Sequence, residues 1–268
     1  MNPTLQFALG TAAGSAIAAR ERRLRKALER FAGACLETLL NAIEANDPDT
    51  GMHVRRVASY ALIIADAADL SAHEQHAVER VALFHDIGKI HEALFDIVHE
   101  PTGLSPSDRR AIATHPARGA QVLAPLAAFY PELPAGVLAH HERWDGMGYP
   151  KGLRGKRIPL ESRIVAIADT FDAVAHSRRY RQGTGGVDAM AVIAQGRGTQ
   201  FDPELVDLVL FPPVRAEIEK QRELKPPRLE RHAGRRSHAH ESIPDVTFRW
   251  RSQSLGVNGI GGAPRRID

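Results

Sequence analysis

The stretch LESRIVAIADTFDAVAH, residues 160–176, leaves little choice of secondary structure. Ile164, Ile167, Ala168, Phe171, Val174 and Ala175 recur at the 3.6-residue period of a helix face, not at the two-residue period of a strand. Asp169 stands in the middle of this apolar run. Taking a carboxylate out of water without a partner is expensive, so any fold that buries this helix must bring a cation or a donor network to Asp169. The ordinary solution is a salt bridge, for which Arg163 and Arg178 are the candidates nearest in sequence.

Helical periodicity governs the rest of the chain as well, with no convincing strand alternation and no internal repeat. A helix is expected over residues 20–45, through Leu24, Leu28, Phe31, Leu36, Leu39, Leu40 and Ile43, before NDPDTG (46–51) interrupts with turn chemistry. The next runs over about 52–69, with His53, Val57, Tyr60, Ile64 and Ala68 on one stripe. LSAHEQ (70–75) reads as a helix start, with Ser71 as cap and Glu74 as its capping-box partner. LSPSDRRAI opens another, with Pro106 in its first turn. Helical patches follow at 117–129 and 134–143, and a loop extends through KGLRGKRIP. After the helix of 160–176, two more are expected, at 187–196 and in FDPELVDLVL, where Asp202 caps and Pro203 begins.

The net charge of +3 is unevenly spread: +4 over residues 1–30 and +5 over 215–268, which leaves −6 for the centre. An acidic centre that holds most of the histidines suits bound cations. Beyond 215 the chain is rich in Arg, Pro, Gly and His, and 222–268 is expected to be largely disordered. The organisation expected is a lead and helix at 1–45, a folded domain at 46–214 and a basic tail at 215–268. Such a tail is ordinarily a solvated one, so nucleic acid is not an expected partner. Residues 3–19 are uncharged but diluted by Ala, Gly, Ser and Thr, short of the roughly 18–20 strongly apolar residues of a transmembrane span. The single cysteine, Cys35, excludes an internal disulfide framework and fits a cytoplasmic location.

Potential ligands lie at expected helix ends or on apolar faces: His53, the adjacent His85 and Asp86, His115, the adjacent His140 and His141, and Asp169. Asp49 precedes His53 by four residues and shares its face if the helix starts early enough. Singly, each histidine has an ordinary reading as a cap or a half-buried side chain. Together they form a nitrogen–oxygen donor set without thiolate, which suits divalent first-row metals and exceeds what one cation needs. Two cations bridged by a carboxylate, with Asp86 as the natural bridge, are a recurring device for phosphoester cleavage. Lys89 lies three and four residues beyond Asp86 and His85, where it would balance phosphate charge. His73, His76, His91, His99 and His176 stand in polar contexts and read as surface residues.

The run HHERWDGMGYP (140–150) adds a geometric condition. Neighbours on a helix are about 100° apart, so His140 and His141 can address one centre together only if they end their helix. Gly146 and Gly148 allow the turn that follows, and Trp144 and Tyr149 are expected to hold the loop against the body.

DTGMHVRRV (49–57), HDIGK (85–89), THP (114–116), HHERWDGMGYP (140–150), IPLESRIVAIADTFDA (158–173), SRRYR (177–181) and GTQFDPELV (198–206) come in an order and spacing that resemble the HD-GYP family. This is a branch of the HD-domain metal-dependent phosphohydrolases, and the resemblance covers about residues 46–212. It implies an all-α fold, an HD-domain helical bundle with an HD-GYP extension. It also implies a bacterial signalling enzyme, a phosphodiesterase that hydrolyses the second messenger cyclic di-GMP to pGpG or GMP. The metal ligands it implies are His53, His85, Asp86, His115, His140, His141 and Asp169, with Asp86 and Lys89 catalytic. Lys89, Asp172, Arg178, Arg181 and the loop residues Gly148, Tyr149 and Pro150 match substrate-facing positions. The implied cofactors are two divalent transition metals, iron or manganese. Asp49 stands where three-metal members carry glutamate and is the candidate ligand of a third; Arg181 stands where many members have lysine. Two rival readings remain: hydrolysis of another cyclic nucleotide or dinucleotide, and a non-catalytic signalling module that binds a protein partner through the GYP loop.

Overall fold

The computed structural model describes residues 3–90, 105–176 and 188–223, with side chains from residue 18 onward. The described residues form α-helices and short 3-10 turns and contain no strand; Arg197 and Phe201 make an isolated bridge. The helices are α1 (Pro3–Asn46), α2 (Pro48–Ala67), α3 (Ala72–Phe84), α4 (Pro106–Ile112) and α5 (His115–Leu123). They continue as α6 (Glu132–Ala139), α7 (Leu160–Ala175), α8 (Ala189–Gln195), α9 (Pro203–Leu210) and α10 (Pro212–Glu223). No described helix is long and apolar enough to cross a membrane. The chain divides into two compact units, one ending at Leu39 and one beginning at Leu40; the core and site described below lie in the second.

Local chemistry accounts for most helix starts. Asp47, with extended backbone at φ −147°, accepts from the backbone N–H of Asp49, and Pro48 occupies the first helical position of α2. The interruption expected over 46–51 is therefore one residue long, because an N-cap needs no longer break. Ser71 and Glu74 form the expected capping box on α3, and Ser105 with Asp108 form another on α4. Asp202 caps α9.

Where elements differ from expectation, packing or a missing local signal is the reason. α1 begins at Pro3, well before residue 20. The helical patch at 117–129 is α5 followed by the 3-10 turn Ala124–Leu126. α10 crosses the expected domain boundary at 214, so the basic tail does not begin at 215. Half of its residues are charged, but Val214 and Ile218 are buried and the helix packs on α2. Residues 224–268 lie outside the described residues, as do Arg178 and Arg181.

α2 is the central element, packed against α3, α7 and α10. Val57, Tyr60, Ile64 and Ala68 are buried on its stripe, and on α7 Ile164, Ile167, Ala168 and Phe171 are buried. Each large aliphatic or aromatic side chain so buried contributes about 1.5–3 kcal/mol relative to exposure. α3 packs on α6 and α7, and α5 packs on α6 and on the 3-10 turn Ile87–Ile90. That last contact is tight: a Cβ on Gly88 would lie 2.1 Å from the carbonyl oxygen of His115 and 2.7 Å from the amide nitrogen of Gly119. Only glycine lets HDIGK close onto the start of α5, which brings Asp86 beside His115.

Candidate metal centre

Three histidines sit at or just beyond helix C-termini. His85 follows α3, His115 follows the end of α4, and His140 follows α6. The last carbonyls of a helix have no partner within it. Each of these imidazoles caps one, donating from Nδ1 to the carbonyl three residues earlier: His85 to Ala82 at 2.8 Å, His115 to Ile112 at 2.7 Å, His140 to Val137 at 2.6 Å. With the proton on Nδ1, a neutral imidazole presents a bare lone pair at Nε2.

Those lone pairs converge on one another and on carboxylate oxygens. Nε2 of His115 lies 3.1 Å from Nε2 of His140 and 3.3 Å from Oδ1 of Asp86. Nε2 of His85 lies 3.5 Å from Oδ2 of Asp86 and 3.8 Å from Oδ1 of Asp169. Nε2 of His53 and of His85 and Oδ1 of Asp86 are buried without an aligned hydrogen-bond partner. Acceptors gathered this closely repel one another unless a cation lies among them. Two sets of donor atoms fall within 4.8 Å of one another: His53, His85 and Asp169, and His115, His140 and His141. Asp86 faces both sets, through Oδ2 at 3.8 Å from Nε2 of His53 and through Oδ1 toward His115.

Electrostatics agree with the geometry. Burial holds the imidazoles of His115 and His141 down, to about 3 and about 4, and holds His140 well below the ordinary value, so all three stay neutral and able to ligate. His53 differs. Burial pulls it down, but contacts with Asp169 and Asp172 outweigh that and raise it to about 9. Without a metal, a proton therefore supplies the positive charge that this corner requires. Burial pushes Asp86 upward, yet Lys89 and the surrounding histidines hold it well below the usual carboxylate range. Lys89 reaches Oδ2 of Asp86 at 2.7 Å. The ordinary alternative for Asp169, a salt bridge from Arg163, is not formed. Arg163 instead donates to Asp202 at 2.6 Å within the core, which leaves Asp169 to the histidines.

α6 ends at Ala139, so His140 and His141 stand at the helix end as their adjacency requires. The loop then folds back. Tyr149 donates its backbone N–H to the carbonyl of His141 at 3.2 Å, and its ring stacks on the His141 imidazole, centroids 4.9 Å apart. Gly148 is seated where a Cβ would lie 2.3 Å from the amide nitrogen of Arg143. The buried carboxylate of Glu142 accepts from the backbone N–H groups of Lys151, at 2.7 Å, and Leu153, at 2.9 Å. Trp144 donates its backbone N–H to the carbonyl of Gln200, and the guanidinium of Arg163 lies over its ring.

Comparison with known proteins matches this architecture to one family. The HD domain profile fits residues 37–205. The chain belongs to the HD-domain family, in its HD-GYP branch. It is 37% identical over 192 residues to a Xanthomonas campestris pv. campestris protein named "Cyclic di-GMP phosphodiesterase response regulator RpfG", covering 71% of this chain and 48% of that protein. It is 35% identical over 174 residues to the Vibrio cholerae "3'3'-cGAMP-specific phosphodiesterase 2", covering 64% of this chain and 33% of that one. The match thus spans about half or less of these relatives. A Bdellovibrio bacteriovorus HD-GYP-type protein, Bd1817, shares the fold at TM-score 0.50 and 20% identity, over 68% of this chain and 60% of that one.

Within the HD-GYP frame, the structure gathers His53, His85, Asp86, His115, His140, His141, Asp169 and Lys89 at one centre. Asp49 is exposed in the first turn of α2 and belongs to neither donor cluster. Asp172, matched to a substrate-facing position, is instead 1% exposed and turned into the core. It accepts from Arg56 at 2.6 and 2.9 Å and lies 2.7 Å from Nδ1 of His53. Helical periodicity explains the difference: Asp172 is four residues past the buried Ala168 and eight past the buried Ile164, on a helix whose apolar face packs on α2. His176, read as a surface residue, has Nδ1 3.1 Å from Asp172. Sequence reasoning passed over Arg56 and Glu142; each is an ordinary charged residue until its distant partners are known.

Proposed function

We propose that this chain is a metal-dependent phosphodiesterase that hydrolyses cyclic di-GMP to pGpG or GMP. The observation that carries the metal reading is the pair of imidazole Nε2 atoms 3.1 Å apart with both Nδ1 protons committed to backbone carbonyls. No proton bridges them, so two nitrogen lone pairs face each other at a distance that a shared divalent cation would relieve. His53, His85 and Asp169 would hold one cation and His115, His140 and His141 another, with Asp86 available to both. Two divalent transition metals, iron or manganese by donor chemistry and family, would supply a nucleophile at neutral pH and Lewis acidity toward the leaving oxygen. The substrate class follows from the curated relatives, several of which are named as cyclic di-GMP phosphodiesterases.

The chain's own residues then have distinct tasks. Lys89 would exchange part of its pairing with Asp86 for a phosphate oxygen, neutralising charge on the scissile group. His115, His140 and His141 stay neutral donors. Gly148, Tyr149 and Pro150 form a stiff rim beside His141, against which the substrate would be placed, while Arg178 and Arg181 are assigned to its phosphates. Asp49 remains the candidate for a third cation. The experiment is turnover of cyclic di-GMP and of 3′3′-cGAMP by protein purified without oxygen and loaded with Mn or Fe. Cyclic di-GMP cleavage that disappears in an Asp86→Ala variant is the expected result. No cleavage with either metal refutes the proposal, and preference for 3′3′-cGAMP moves the substrate to the specificity named for the Vibrio relatives.

A further inference from the structure

Among the histidines of the centre, His53 alone lies within a helix and away from its ends, five residues past the start of α2. The carbonyls around it are taken by helical hydrogen bonds, so it lacks the free carbonyl that orients His85, His115 and His140. Its Nδ1 finds a carboxylate instead: Asp172 on α7, 2.7 Å away. That carboxylate is gripped from the other side by Arg56, one helical turn after His53 on the same face of α2, through two bonds of 2.6 and 2.9 Å.

We propose that Asp172, pinned by Arg56, is a positioning residue that fixes the ring of His53 so that Nε2 faces Asp169 and His85, and thereby sets the affinity of that one cation site. Asp172 does not contact substrate, since its side chain is closed off in the core. The assignment follows from two facts: the ring needs an external acceptor, and the acceptor present has its remaining lone pairs held in a fixed plane by a guanidinium fork. An imidazole donating to a carboxylate is also a more basic ligand at its other nitrogen, and loss of such a partner ordinarily weakens metal binding about 10–100-fold.

This inference rests on the metal reading of the centre. The test is titration of chelator-treated full chain with Co2+, followed by calorimetry and by visible absorbance, in the parent and in Asp172→Asn and Arg56→Lys. The parent is expected to take up two cations. In Asp172→Asn one of the two affinities is expected to fall about 10–100-fold, while the other, from His115, His140 and His141, stays within about twofold. Arg56→Lys keeps the charge but loses the fork, and is expected to show a smaller loss at the same site. Equal weakening of both sites would assign Asp172 a merely structural role and overturn the proposal. So would two unchanged affinities. If Asp172→Asn does not fold, Arg56→Lys decides, with the same readings. A parent that binds no divalent cation overturns this inference and the metal reading together, whereas a parent that binds two and variants that bind as tightly overturn this inference alone.

Discussion

Substituting Gly88 by alanine sets two opposing effects against each other, and the structure decides between them. Gly88 lies in a 3-10 turn and is not among the residues with positive φ, so alanine suits its backbone. On that ground the change would stabilise the chain by about 0.4–1 kcal/mol, through a less flexible unfolded state. Against it, the new methyl would lie 2.1 Å from the His115 carbonyl oxygen and 2.7 Å from the Gly119 nitrogen. Both are backbone atoms on α5 and cannot swing aside, so the turn must retreat by more than about 1 Å to reach ordinary contact distance. Overpacking of this kind costs about 1–3 kcal/mol, so the net expectation is a loss of about 1–2 kcal/mol. The functional effect should be larger. The same retreat separates Asp86 from His115, now 3.3 Å apart, and a 1 Å misplacement at a reacting centre costs on the order of 100-fold in rate. Urea unfolding, cation content after gel filtration and turnover of cyclic di-GMP measure the three consequences. A Gly88→Ala protein with unchanged or raised midpoint, full cation content and parental turnover would refute the close approach of the HDIGK turn to α5.

Arg163→Ala leaves the carboxylate of Asp202 buried and unpaired. With both side chains in the core, the loss expected in denaturant unfolding is about 3–5 kcal/mol, and a loss under 1 kcal/mol would show the pair to be dispensable. Tyr149→Phe keeps the ring on His141 and should retain cation content, whereas Tyr149→Leu should lower it; equal behaviour of the two would count against the stacking role. Glu79 tests linkage. Burial raises its carboxyl above the ordinary value, with His76 offsetting part of the effect, so the folded chain binds this proton more tightly than the unfolded one. Stability therefore falls as pH rises from the unfolded value through the folded one. Glu79→Gln should unfold at a higher temperature than the parent at neutral pH, with the advantage gone below about pH 4, the unfolded-state value. A variant less stable than the parent at neutral pH would reverse the sign and refute the argument.

Much of this protein is written in short-range chemistry, and that part is readable from residues alone. The α3, α4 and α9 starts follow from Ser71 with Glu74, Ser105–Pro106 and Asp202–Pro203, because a cap acts on N–H groups two or three residues away. Asp47–Pro48 starts α2 by the same chemistry, earlier than the start near residue 52 that the turn residues suggested. The roster of nitrogen and oxygen donors is likewise visible, as is the need for His140 and His141 to end their helix, since both depend only on side-chain chemistry and helical pitch. What the sequence could not determine is which of these groups meet. Arg163 was as plausible a partner for Asp169 as for Asp202, and only the packing of α7 sends it to Asp202, 39 residues away. Asp172 faces His53 and Arg56 across 119 and 116 residues, and nothing local distinguishes it from a solvent-facing carboxylate. α10 carries too few apolar residues to announce itself and is helical where Val214 and Ile218 find α2. The division of the donors into two clusters about Asp86 has the same origin. Which residues can bind a cation is a property of each side chain, but how many cations they hold, and which carboxylate orients which imidazole, is decided by α2, α3, α5, α6 and α7 meeting at one place.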